Sequence, residues 1–210
     1  ISQWGHDFRP AYVKIAGFID HLPRRPPVVA LTATATHQVR DEIVTLLRLR
    51  QPQQFANSFK RTNLFFEVHF CSQQNHKDFL LLWLLTHYRH QSGIIYTLTR
   101  RACEELCSLI RFLGTSIIPS HKVAFYHGGL AAATRQEIQN RFINNDLQLI
   151  VATNAFGMGV DKPNVRYVIH NHVPNCIEQY YQEAVRAGRD GQPAECFVLV
   201  HETNSSNARR

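Results

Sequence analysis

Arg186 and Arg189 stand three apart in YYQEAVRAGRDG, residues 180–191, beside Gly188 and Gly191. On a helix that spacing predicts both guanidiniums on one face of the last turn. The glycines then let the backbone turn sharply. Planar guanidinium forks on a fixed base suit the charge that spreads over a transferring phosphoryl group. A second constellation is IVATNAFGMGVDKP, residues 150–163. It ends a strand at Thr153 and enters a turn where Gly157 and Gly159 permit close backbone approach to a ligand. Asp161 can accept hydrogen bonds from a ribose or from a facing arginine. A G-x-G alone is weak and fits an ordinary βα turn. Its place between a strand end and the arginine pair strengthens it.

Two further segments each fit two readings. ISQWGHDFRPAY, residues 1–12, crowds Trp4, Phe8 and Tyr12 with His6 and Arg9. Such a loop can stack nucleic-acid bases, or staple the start of a helix through its aromatics. LTATAT, residues 31–36, is a hydroxyl-rich strand end. Thr34 or Thr36 can cap the next helix or sense a nearby phosphate.

The elements that must position these residues alternate. Strands are predicted at 28–32, 64–70, 93–97, 123–127, 147–153, 165–171 and 195–200. They are short, β-branched and nearly continuous in apolar character, as strands covered on both faces should be. Helices are predicted at 10–20, 36–49, 77–89, 100–113, 131–144 and 176–187. Strand–helix alternation at this spacing implies right-handed crossovers and a parallel, three-layer α/β sheet, with ligands at the carboxyl ends of the strands. The polar stretch 50–61 reads as a linker. Before it lies one good strand, too little for an independent core; after it lie six.

Composition narrows the classes. The 210 residues carry 23 Lys+Arg against 16 Asp+Glu, a net charge of +7, which suits a polyanionic partner or serves solubility alone. The longest apolar run, Phe79 to Leu85, is far too short for a bilayer, and no signal peptide is visible. Five cysteines include no CxxC pair. Cys103 and Cys107 form one helical stripe with Leu106 and Ile110, so core thiols are expected rather than zinc ligands. That pattern fits a reducing, intracellular compartment. His170 and His172 share a strand face without a third ligand, so no metal site is expected there. The chain opens on Ile1, not Met, and reads as a fragment or as a sequence missing its start.

Six segments in order resemble the motifs of RecQ-family DNA helicases. ISQWGHDFRPAY resembles the aromatic-rich loop after the DEAH box, and LTATAT resembles motif III. GIIYTLTR (93–100) resembles motif IV and FYHGGL (125–130) the motif after it. VATNAFGMGVDKPNVRYVIH (151–170) resembles motif V, and YYQEAVRAGRDG motif VI. The aromatic loop and GMGVDKPNVR favour RecQ over RNA helicases of the DEAD-box type.

The resemblance implies RecA-like folds. Residues 1–57 would be the end of motor domain 1, and residues 58–210 the whole of motor domain 2. It implies ATP with Mg²⁺ between two such domains, and 3′-to-5′ travel on single-stranded and forked DNA in repair and recombination. Arg189 would be the arginine finger and Arg186 a support of the nucleotide site, with Asp161, Gly157, Gly159 and Gln182 lining it. Trp4, Phe8 and Arg9 would couple DNA to hydrolysis. Thr99, Arg100, His127 and Thr153 would lie along the DNA backbone. The implied compartment is the nucleus in a eukaryote, or the cytoplasm or nucleoid in a bacterium.

Some family features are missing. No Walker A lysine or DEAH carboxylates occur, so the missing N-terminal RecA-like half is an expected partner and the 210 residues alone are expected not to hydrolyse ATP. The family's zinc cysteines would fall beyond residue 210. Ala184 and Val185 replace the usual threonine and glycine, and Val185 is expected to crowd the nucleotide cleft. TLT at 97–99 also departs from the usual small polar run. The alternatives are a non-catalytic DNA-binding module and the second domain of an RNA helicase.

Overall fold

The computed structural model describes residues 11–32, 37–56, 60–113, 116–157 and 160–201, with backbone only for 11–13. The chain divides into two compact units, Ile1–Lys60 and Arg61–Arg210. In the first, α1 (Ala11–Asp20) and α2 (His37–Leu46) are the described helices. Asp20, at the end of α1, binds Arg25 and, at 2.6 Å, Arg48. The hydrogen bond from Arg48 holds its carboxyl below the usual carboxylate range. Arg25 also donates to the Leu47 and Arg48 carbonyls, tying the end of α1 to the chain after α2.

The strand expected at 28–32 does not form, and Val29 and Leu31 are 78% and 91% exposed. An apolar run becomes a strand only by pairing. Among the described residues of this unit there is no second strand to pair with it.

The second unit is one six-stranded, fully parallel sheet. Its strands are β1 (Leu64–Cys71), β2 (Ser92–Tyr96), β3 (Val123–Tyr126), β4 (Leu149–Ala152), β5 (Val165–His170) and β6 (Ala194–His201). Their order is β1-β6-β5-β2-β4-β3. The helices are α3 (Gln74–His87), α4 (Arg100–Leu113), α5 (Ala132–Ile143) and α6 (Ile177–Ala184). Successive strand residues point to opposite faces, and each face has its own core. Ile95, Val151, Tyr167 and Ile169 pack with α3 and α4; Ile94, Tyr96, Ile150 and Val168 pack with Phe142 of α5 and Ala184 of α6.

The stripe read on α4 is the buried one: Cys103, Leu106, Cys107 and Ile110 all face the sheet. Burial pushes the Cys107 thiol up to about 11, so it behaves as a small apolar group. Among the described residues no helix is long and apolar enough to cross a membrane.

Candidate functional site

The two arginines do not share a helical face. α6 ends at Ala184, three residues before the predicted end. Arg186 N–H bonds to Glu183 O at 3.3 Å and Ala187 N–H to Ala184 O at 3.0 Å, so the last bonds span three residues and the helix tightens into a turn. Gly188, at φ +57°, completes the exit. The arginines therefore point to different partners. Arg186 Nη1 donates to Gly157 O, while Arg189 Nη1 donates to Asp161 Oδ1 at 2.8 Å and Val160 O at 3.2 Å.

The seat of Arg186 is tight. Gly157 has φ +141°, and a Cβ there would lie 2.1 Å from Arg186 Cζ. Arg186 Nε is enclosed without a hydrogen-bond partner. Tyr96 supports the same loop, its hydroxyl donating to Phe156 O at 3.2 Å. Burial pushes that phenol up, and the Arg186 charge opposes the shift. The seat of Arg189 is open: its side chain is 34% exposed and that of Asp161 is 84% exposed.

α6 is fixed by a pair that sequence reasoning missed. His170, at the end of β5, lies 2.8 Å from Glu183, with side chains 0% and 6% exposed. A histidine closing the apolar run Tyr167–Ile169 was the available signal. His172 meets Tyr96 O at 3.3 Å, and burial holds its imidazole below the usual range. Among the described residues no cluster of His, Cys, Asp or Glu could hold a metal.

A second group lies along the carboxyl ends of β2, β3 and β4. Thr99 caps α4, its Oγ1 accepting from Ala102 N–H at 3.1 Å. Arg100 begins the helix, is exposed, and lies beside Gly129. His127 is 5% exposed; its Nε2 lies 2.8 Å from Glu104 and its Nδ1 accepts from Gly129 N–H at 3.2 Å. With Nδ1 accepting, Nε2 is the ring nitrogen left to donate to Glu104. Thr153 is buried at the end of β4, and its carbonyl accepts from Phe156 N–H at 3.0 Å.

The two groups thus lie in two regions. The arginine turn reaches the opposite end of β5, where Gly188 N–H bonds to Val165 O and Asp190 N–H to Pro163 O. Gln182 is exposed on α6. Trp4, Phe8, Arg9, Thr34, Thr36 and Gly159 lie outside the described residues. Ala184 is fully buried, and Val185 packs against the core.

The profile of the helicase conserved C-terminal domain matches residues 76–191, more than half of the chain, and the chain belongs to that family. Its curated relatives are RecQ-type helicases. The ATP-dependent DNA helicase RecQ of Bacillus subtilis is 43% identical over 95% of this chain and 32% of its own length. The RecQ-like DNA helicase BLM of Xenopus laevis is 40% identical over 100% of this chain and 15% of its own length. The chain thus spans a third or less of these relatives.

Solved structures share the fold. Dbp5 L327V of S. cerevisiae, bound to RNA and ADP BeF3, has a TM-score of 0.75 at 20% identity, over 98% of this chain and 53% of that one. The Mycobacterium smegmatis helicase Lhr, bound to ssDNA and AMP-PNP, has a TM-score of 0.75 at 19% identity, over 94% and 27%.

Proposed function

We propose that residues 58–210 are the second RecA-like domain, and residues 1–57 the end of the first, of a RecQ-type ATP-dependent DNA helicase that moves 3′ to 5′ on single-stranded and forked DNA. In this reading Arg189 reaches the γ-phosphate and Arg186 holds the loop that carries Gly157, Gly159 and Asp161, with Gln182 alongside. Thr99, Arg100, His127 and Thr153 form the DNA face, and Trp4, Phe8 and Arg9 couple DNA to turnover. The described residues offer no metal seat. In this reading Mg²⁺ and the phosphate-cradling lysine are assigned to the other half, and turnover to the protein that has both.

The observation that carries the reading is the contrast between base and tip at Arg189. Its backbone turn is bonded to the loop before β5, while its guanidinium rests on a largely exposed carboxylate. An exposed pair of this kind is weak and readily exchanged. A phosphate carrying more charge, in a closing cleft that excludes water, competes well for the fork. Val185 packs on the core and so gives no support to a degenerate, non-catalytic domain.

The test is Arg189→Ala in the helicase with both halves. Steady-state kcat should fall by ~10³ or more with DNA affinity nearly unchanged. Turnover within about tenfold of wild type would remove Arg189 from the role.

A further inference from the structure

Three side chains remote in sequence converge on the turn that carries Arg189. Asn63 Nδ2 donates to Gly188 O and to Gln192 O, both at 2.8 Å. Arg61 Nη2 donates to Gly188 O at 2.6 Å, filling the second lone pair of that carbonyl. Arg166 Nη2 lies 2.6 and 2.7 Å from the two carboxylate oxygens of Asp190, and its Nη1 reaches Pro193 O at 3.3 Å. The hydrogen bond from Arg166 holds the Asp190 carboxyl below its usual range.

The turn is thus gripped immediately before and immediately after Arg189. The fit is close: a Cβ on Gly188 would lie 2.5 Å from Asn63 Nδ2. Among the described residues the Arg189 guanidinium rests on Asp161, largely exposed, and on the Val160 carbonyl.

We propose that Arg61, Asn63 and the Arg166–Asp190 pair are positioning residues that aim Arg189. This rests on the reading of Arg189 as the phosphate-contacting arginine. A charged fork stabilises a transition state only when its base is already in place, and a displacement of about 1 Å costs on the order of 10²-fold in rate. The clamp supplies the fixed base and the exposed Asp161 contact the movable tip. None of the clamp residues needs to touch nucleotide or DNA.

The experiment is a double-variant cycle in the helicase with both halves, with ATP turnover read at saturating DNA. Asn63→Ala should lower kcat by roughly 10- to 100-fold, leaving the KM for ATP and the affinity for single-stranded DNA within about threefold. Asn63→Ala combined with Arg189→Ala should be no slower than Arg189→Ala alone, because both changes remove one function. Arg166→Lys, which keeps the charge but loses the fork, should behave the same way at smaller amplitude and carries the cycle if Asn63→Ala does not fold. Wild-type turnover in Asn63→Ala, or losses that multiply in the double variant, would overturn the clamp. A silent Arg189→Ala would instead overturn the assignment of Arg189, a distinct result.

Discussion

Around Arg186 and Arg189, side chains reach 28 or 29 residues back along the sequence to bond Gly157, Val160 and Asp161. At the strand-end rim the bonds that shape the exposed backbone are local: Thr99 caps a helix three residues on, and His127 holds the N–H of Gly129 two residues on. The difference teaches how each region tolerates change. The arginine region is one tertiary construction, in which a single misplaced atom moves a guanidinium. The rim is a row of short local turns linked by the His127–Glu104 contact, and in the proposed reading each contributes a modest increment to binding a charged strand.

Gly157→Ala attacks the first region at its tightest point. The new methyl has to displace the Arg186 guanidinium, at a backbone φ of +141° that disfavours any side chain. ATP turnover in the helicase with both halves should fall by about 100-fold or more, while rim-dependent DNA affinity is retained. Turnover within about threefold of wild type would show that the region is looser than its geometry.

Arg100→Ala probes the rim. DNA affinity should drop severalfold, and the slope of log affinity against log salt should shrink by about 0.7 for single strands, with DNA-independent ATPase unaltered. An unaltered slope would mean that Arg100 meets no phosphate.

Val185→Gly is the smallest change. It removes packing against the core at the end of α6, one residue before Arg186, while leaving the Arg186 and Arg189 side-chain contacts in place, so it should lower stability by ~1 kcal/mol, a melting shift of about 2–4 °C, with turnover preserved. Faster turnover with no melting shift would restore the idea that Val185 crowds the cleft.

The sheet was largely legible because its strands are continuous apolar runs, and α4 because its four buried residues repeat at helical spacing. Val28–Thr32 has the same local character and still forms no strand. Pairing is a property of neighbours, which a local pattern does not contain. In the site, Arg186, Arg189, Gly157 and Asp161 could be picked out by type and spacing. Their division between two seats could not, because it depends on where α6 stops. Asn63 and Arg61 had no local signal at all: their partner carbonyl is more than a hundred residues away. Glu183 likewise had no local signal; the fold sets it beside His170.

The sheet order also dictates a schedule for the newborn chain. β5, β2, β4 and β3 are contiguous, so they can assemble without β1 or β6. β1 leaves the ribosome first, yet its ladder partner is β6, synthesised last of the six. Until then the β1 backbone has no ladder partner, an interval in which a nascent unpaired strand invites chaperones or self-association. Asn63 directly precedes that strand, so the turn bearing Arg189 receives its final two tethers only when the sheet edge closes. Completion of the fold and fixing of the turn that bears Arg189 are then a single late event, and a partly made domain carries that guanidinium without a fixed base.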